Sequence, residues 1–241
     1  MSSTPLTNEY GQPVGQPLPD WQPRPLPPRT AMQGRLCRLE PLDAARHAED
    51  LAEVFGTEPD GRGWTYLFKG PFLGDRAGYR AYLEELAASK DTLHHAVVDL
   101  ATDRPVGHLA LMRMDPANGV IEVGHVTFSS RLQRTTIATE AQYLLMRRVF
   151  DELGYRRYEW KCDSLNEPSR AAAARLGFQF EGVFRQAVVY KGRSRDTAWF
   201  SIIDAEWPAR KAAFERWLSP DNFDAAGAQR RSLRELAQER R

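Results

Sequence analysis

The residues best suited to chemistry lie between positions 120 and 178. Ser129-Ser130-Arg131-Leu132-Gln133-Arg134-Thr135-Thr136-Ile137-Ala138-Thr139-Glu140-Ala141 joins a β-type run, Val120–Phe128, to a helical one, residues 137–153. A strand that passes through such a turn straight into a helix aims successive backbone N–H groups at one spot, and the helix dipole adds positive potential there. That is an anion site suited to phosphate, and Arg131 and Arg134 can add charge. A second strand–helix unit follows, residues 158–162 and 166–176, and its helix opens on Asn166-Glu167-Pro168-Ser169. Glu122 and His125 stand on the first strand, where a period of two puts them on opposite faces. Cys162, Asp163 and His125 have the residue types of a nucleophilic set, but a cysteine that closes a core strand is ordinarily a small buried hydrophobe. His94, His95 and His108 lack metal-ligand spacing with any carboxylate cluster, so no metal site is expected. Arg185, Arg193, Arg195 and Asp196 flank the last hairpin. They read either as a solvated, ion-paired turn or as an acceptor wall, with Asp196 drawing a cationic amine and Arg185 a carboxylate.

Several elements must position these groups. A short strand over residues 33–40 precedes Asp43, an N-cap for a helix over residues 44–55 that carries Leu51, Val54 and Phe55 on one face. Asp75 caps a second helix, residues 76–88, with Tyr79, Tyr82, Leu83 and Leu86 at helical spacing. Between them runs GTEPDGRGWTYLFKGPF, whose Trp64, Tyr66, Phe68 and Phe72 serve either as a core plug or as a binding wall. Strands over residues 94–100 and 106–114 lead to Val120–Phe128 through turns short enough to make antiparallel neighbours. After the central units come strands over residues 182–190 and 197–203, joined by the basic turn KGRSRD, and a helix over residues 204–218. Strand runs mixed with single helices argue one α+β domain with antiparallel and parallel pairings in its sheet.

Composition narrows the functions. The chain has 241 residues, 42% apolar, enough for a sizeable core. A net charge of +1 with mixed signs gives no pull toward nucleic acid or membrane, and no run approaches the roughly 20 apolar residues of a bilayer span. Two cysteines give no disulfide framework. With no secretory signal pattern, a cytoplasmic protein is expected. Residues 1–30 hold Pro5, Pro13, Pro17, Pro19, Pro23, Pro25, Pro27 and Pro28, half of the 16 prolines. They form an extended or disordered arm, with Trp21 as an anchor if it docks on a partner. The domain is placed at residues 31–218, and residues 219–241 form a charged tail, solvated or in an oligomer contact. Arm and tail together leave a homodimer open.

Gln133-Arg134-Thr135-Thr136-Ile137-Ala138 resembles the Gln/Arg-x-x-Gly-x-Gly/Ala signature of the GNAT acyltransferase superfamily. Asn166-Glu167-Pro168-Ser169 followed by Arg175-Leu176-Gly177-Phe178 resembles the Asn-x-x-Ser…Lys/Arg-x-Gly-Phe pattern of its RimJ/RimL branch, the ribosomal-protein N-terminal acetyltransferases. The resemblance spans roughly residues 36–203. It implies a GNAT-type central mixed, mostly antiparallel sheet, helices on both faces and a V-shaped split between the two central strands. It also implies acetyl-coenzyme A as co-substrate, with Gln133, Arg134, Thr135, Thr136, Ile137 and Ala138 on the pyrophosphate. Val126, Thr127 and Phe128 would line the pantetheine arm, and Asn166 and Ser169 the sulfur end. Thr136 departs from the common glycine, so either the turn is already helical there or the anion site is slightly remodelled.

The implied reaction is acetyl transfer to a primary amine by direct attack in a ternary complex. It needs a neutral amine, a polarised carbonyl and, for some leaving groups, a proton donor. Glu122, eleven residues before Gln133, stands where family members with a strand carboxylate carry the general base. Its other readings are a rim glutamate paired with an arginine, or a substrate-orienting group. The family's usual tyrosine acid falls on Ala173, which leaves Ser169 as candidate donor or mere helix cap. A thiol of pKa near 8.5 can also leave without a dedicated acid. The acceptor is a protein N-terminus by branch, or a small amine if the aromatic loop closes the pocket, with Trp64, Tyr66, Arg185 and Asp196 as acceptor contacts. A second class is a non-catalytic CoA-binding, regulatory module on the same fold. A purely structural protein leaves the Gln133–Ala138 turn unexplained.

Overall fold

A computed structural model describes residues 6–239. Two short strand pairs open it: β1 (Leu6–Thr7) with β2 (Pro13–Val14), and β3 (Met32–Gln33) with β4 (Cys37–Pro41). Helices α1 (Ala44–Gly56) and α2 (Arg76–Ala87) precede three strands, β5 (Leu93–Asp99), β6 (Arg104–Asp115) and β7 (Val120–Phe128). Then come α3 (Thr136–Arg147), β8 (Arg157–Asp163), α4 (Glu167–Leu176), β9 (Gln179–Tyr190) and β10 (Arg193–Ile203). Helices α5 (Trp207–Leu218) and α6 (Leu233–Gln238) close the chain. One sheet runs β3-β4-β5-β6-β7-β8-β10-β9, antiparallel at every junction except β7–β8. It is the mixed, mostly antiparallel sheet expected of an α+β chain.

Register decides what each face of the sheet carries. Leu93, Leu111, Val123 and Trp160 are successive cross-strand partners, all buried in the cluster that α3 and α5 complete with Leu144 and Phe214. One residue along each strand, His94, Ala110 and Gly124 line up on the other face. There Ala96 and Val98 meet Leu51, Phe55 and Leu83 of α1 and α2. The sheet is therefore apolar on both sides, as strands covered twice must be. Asp43 and Asp75 cap α1 and α2 through side-chain bonds to their first-turn amides, as their sequence positions predict.

Four expectations need correction. The helix expected over residues 137–153 is α-helical only to Arg147, and Arg148–Glu152 is a π turn. That turn holds the buried Arg148 against Thr30 Oγ1 and the Ala31 carbonyl, 3.1 and 3.3 Å away. The basic turn shrinks to Lys191-Gly192, both at positive φ (47° and 70°), so Arg193, Arg195 and Asp196 belong to β10. Positive φ at both central residues suits the twist of a two-residue hairpin. The tail is not a solvated appendage throughout: Leu233 and Leu236 of α6 are buried in the main core, and Trp217 Nε1 donates to Gln229 Oε1. The arm is anchored on its own chain. Trp21 Nε1 donates to the Ala117 carbonyl at 2.8 Å, and the guanidinium groups of Arg24 and Arg156 lie over its ring.

Candidate active site

The two central strands pair only over Val120–Val123 and Arg157–Trp160. Beyond Val123, β7 continues to Phe128 alongside β6 alone, and β8 continues to Asp163 alongside β10. That divergence is the V-shaped split, and the β8-facing backbone of residues 124–128 has no strand opposite it. Val126, Thr127 and Phe128 lie there, against the open side.

At the end of β7 the chain turns through Ser129 to Thr135. The Ser129 hydroxyl donates to the Val106 carbonyl at 2.6 Å, and Leu132 is a fully buried plug. Gln133 Nε2 donates to the Phe128 carbonyl at 2.7 Å, which clips the turn to the strand. Arg134 takes φ +62°, and Thr135 caps α3, its Oγ1 accepting from the Ala138 amide at 3.2 Å. Thr136 is simply the first helical residue. The left-handed position of this turn is Arg134, so the β-branched side chain at 136 costs nothing. The amides of Arg134, Thr136 and Ile137 find no protein acceptor among the described residues. Together with the exposed Arg131 and Arg134, this is a helix N-terminus open to an anion, continuous with the split.

A cleft of about 340 Å³ opens on the α1/α2 face of the sheet at the split. Glu122, His125, Val126, Lys161, Cys162, Asn166, Ser169, Arg195, Thr197 and Trp199 line it. Glu122 is 5% exposed, and its Oε2 lies 2.8 Å from Lys161 Nζ and 3.4 Å from Arg113 Nε. Lys161 also meets Glu159 at 2.7 Å and stands 3.7 Å over the Trp199 ring. Burial pushes the Glu122 carboxyl above the usual carboxylate range, against the opposing pull of Lys161 and Arg113. Gly124 beside it leaves room for Met112, whose Sδ would stand 2.3 Å from a Cβ there and would have to shift.

His125 is not where alternation places it. It sits at φ +49°, in an irregularity where β7 slips against β6 between His108/Thr127 and Ala110/Gly124. The extra residue of such a bulge reverses the strand's phase, so the His125 ring packs 5.0 Å from His94 on the same face as Glu122. Burial holds the His125 imidazole below its ordinary pKa.

At the other end, Asn166 caps α4, its Oδ1 accepting from the Ser169 amide at 3.2 Å. The Ser169 Oγ accepts from Trp160 Nε1 at 3.0 Å. Asn166 and not Ser169 is therefore the cap; the Ser169 Oγ uses one lone pair on Trp160, and its hydroxyl also bonds the neighbouring Cys162 thiol. Cys162 is buried with its thiol pushed up, chiefly by burial. That is the opposite of an activated nucleophile.

The acceptor contacts need revision. Trp64 is a core plug, 3% exposed and packed against Phe55, Phe72 and Tyr79. Tyr66 and Phe68 of the same loop reach the cleft, and the Tyr66 hydroxyl donates to the Leu165 carbonyl at 3.1 Å. Neither Arg185 nor Asp196 lines it: Arg185 is exposed, and Asp196 Oδ1 accepts from the Gln186 amide at 2.7 Å. Strand alternation instead turns Arg195, Thr197 and Trp199 inward. Lys161, Thr197 and Trp199 were missed by sequence reasoning, although the period of two along β8 and β10 was a usable signal; Arg195 was named on the flank of the hairpin as part of an acceptor wall, and the structure puts it in the cleft. Among the described residues no cluster of histidines, cysteines and carboxylates could hold a metal ion, and no helix is long and apolar enough to cross a membrane.

Residues 37–179 match the family model described as an acetyltransferase (GNAT) domain. A solved GCN5-related N-acetyltransferase from Brucella melitensis is 50% identical, with a TM-score of 0.90 over 92% of this chain and 100% of its own. A solved structure from Chromobacterium violaceum, described as a probable GNAT-family acetyltransferase, is 44% identical, with a TM-score of 0.75 over 82% of this chain and 98% of its own. Among curated proteins, YdaF of Bacillus subtilis (strain 168), whose name marks it as a proposed ribosomal N-acetyltransferase, is 27% identical over 72% of this chain and 92% of its own length.

Proposed function

This chain belongs to the GNAT acetyltransferase family, and from that premise we propose that it moves an acetyl group from acetyl-CoA to a compact primary amine by direct attack in a ternary complex. The observation that carries the reading is the continuity of three features. A strand split with unpaired backbone runs into a helix N-terminus with free amides, and a buried carboxylate stands on the strand that leads to both. Acetyl-CoA supplies an activated acyl thioester. Gln133, Arg134, Thr135, Thr136, Ile137 and Ala138 would hold its phosphates and Val126, Thr127 and Phe128 its pantetheine. Asn166 and Ser169 would stand at the sulfur end.

Glu122 takes the proton from the acceptor ammonium, directly or through one water. Its raised pKa suits a base that works near neutrality. Lys161 orients the carboxylate and keeps it from full neutralisation. The Ser169 hydroxyl can exchange its bond to Cys162 for one to a departing thiolate. Direct attack is favoured over a cysteine-bound intermediate because both thiols, Cys37 and Cys162, are buried and disfavour ionisation. A compact amine is favoured because Tyr66 and Lys191 tie the aromatic loop to both sides of the cleft. They bond to the Leu165 and Trp64 carbonyls at 3.1 and 2.7 Å. The name of YdaF supports the RimJ/RimL-like branch, in which the compact amine would be the tip of a chain end.

Titration calorimetry with acetyl-CoA tests the reading, with Gln133→Glu and Thr136→Glu as controls. Micromolar binding by the wild type that both acidic variants lose is the expected result. A wild type that binds no acetyl-CoA overturns it.

A further inference from the structure

The inward face of β10 carries three donors in a row that the transferase chemistry above does not use. Arg195, Thr197 and Trp199 alternate along the strand and all line the cleft. Arg195 Nε, Thr197 Oγ1 and Trp199 Nε1 are each buried without a hydrogen-bond partner. Buried polar atoms are nearly always paired, so three in register call for a cause.

Arg195 is the most telling. It is 8% exposed, and no carboxylate forms an ion pair with it among the described residues. Its guanidinium instead sits beside a pair of contacting rings, 5.5 Å from the Phe68 centroid and 5.7 Å from that of Tyr190. Asp163, the buried carboxylate at this end of the cleft, is already committed. Its Oδ1 accepts from the Leu165 amide at 2.9 Å and its Oδ2 from the Tyr190 hydroxyl at 2.7 Å. A guanidinium cannot shed its proton, and burying it without a counter-ion is unfavourable. The two other cations of the cleft, Lys161 and Arg113, both reach Glu122. Among the described residues that line the cleft, Arg195 is the cation left to an outside anion.

We propose that Arg195, with Thr197 and Trp199 beside it, recognises an oxyanion on the acceptor, so that the preferred substrates are primary amines that also carry a carboxylate or a phosphate. This rests on the transferase reading and names its acceptor class. The row belongs to the acceptor end of the cleft, because β8 stands between β10 and the β7–β8 split. Spacing sets the shape of the substrate. Trp199 is the cross-strand partner of Lys161, which holds Glu122, and Arg195 lies four positions away, at most roughly 13 Å along the strand. The anion is therefore offset along β10 from the amine, and a series of substrates of increasing length reads how far.

The test uses the full chain with acetyl-CoA and a length series of linear ω-amino acids, with the matching ω-aminoalkyl phosphates and ω-amino carboxamides. Release of free thiol gives kcat/KM for each. The wild type is expected to prefer one anionic series over its carboxamides by about 30-fold, the scale of a hydrogen bond to a charged group. Whether the carboxylates or the phosphates win identifies the anion. Arg195→Met should bring the ratio close to one, Arg195→Lys should keep part of it, and both should keep acetyl-CoA affinity. Equal use of acids and carboxamides by the wild type overturns the proposal, as does an Arg195→Met ratio equal to the wild-type ratio. Calorimetry of the same compounds in the presence of coenzyme A needs no turnover. An acid preference in binding that Arg195→Met abolishes, without turnover, supports the anion site and counts against the transferase reading; no such preference overturns the anion site.

Discussion

Replacing Lys161 by Met tests whether Glu122 acts as the base. The ammonium lies 2.8 Å from Glu122 and 2.7 Å from Glu159. At an effective dielectric near 20, the gross attraction to Glu122 is about 6 kcal/mol, which is a ceiling. An opposite charge this close lowers a carboxylate pKa by about one to three units, or roughly 1.4–4 kcal/mol. Burial already holds Glu122 high, and Lys161 is the largest opposing influence. Without Lys161 the carboxyl rises further. Because the base must be ionised, the acid limb of the kcat/KM profile should move to higher pH by about one to three units. The rate lost near neutrality should return in alkaline buffer. Thiol release across a buffer series from acid to alkaline pH reads this directly. A profile that keeps its wild-type limb, or a loss that is the same at every pH, would refute the role of Glu122.

The same variant carries a stability signature of defined sign. A carboxyl whose folded pKa lies above its unfolded value binds more protons in the folded state. Stability is then present at low pH and lost as pH rises from the unfolded value through the folded one. Lys161→Met should therefore melt lower as pH rises, by an amount that reflects the roughly 3–5 kcal/mol cost of breaking a buried pair. Glu122→Gln/Lys161→Met should recover part of that loss at neutral pH, since it removes the stranded charge.

Other perturbations reach the rest of the molecule. Glu140 accepts from the amides of Arg35, Leu36 and Cys37 at 3.0, 2.7 and 2.8 Å; Glu140→Ala should cost about 3–5 kcal/mol in chemical denaturation and Glu140→Gln less. His94, His95 and His108 are buried with their pKa values lowered to about 3, chiefly by burial. Their stabilising effect is complete above the unfolded value near 6.5 and is lost as pH falls, so calorimetric stability should drop by up to about 4 kcal/mol per pH unit below it, with three protons taken up. Leu236→Ala should destabilise by about 2–3 kcal/mol, because the residue belongs to the main core. A loss near zero would return α6 to the solvent.

Much of the fold was legible because its signals are local. Asp43 and Asp75 announce their helices within a few residues, and Val120–Phe128 is a β-type run bounded on both sides by turn residues, which gives its limits. What stayed hidden depended on partners far away in sequence. Residues 219–241 read as polar, yet Leu233 and Leu236 find the core only because α6 folds back on α5. Trp64 and Tyr66 sit two residues apart in one loop and part ways, one into the core and one to the cleft, by a choice no periodicity records.

The two halves of the site differ in legibility for one physical reason. The anion turn is built from consecutive residues, and its amides point where a helix start makes them point. A short motif is therefore enough to find it, and the left-handed residue at Arg134 alters only which position bears the strain. The acceptor half is assembled from alternate residues on three strands, so it depends on register, and a single bulge inverts it. The slip at His125 moves that imidazole to the face of Glu122, and the short turn at Lys191-Gly192 draws Arg195 into β10 with its side chain inward. On the sequence alone Asp196 was to draw the cationic amine and Arg185 a carboxylate. The observed register leaves both outside the cleft and places Arg195 in it, so the proposed anion contact passes from Arg185 on β9 to the inward face of β10.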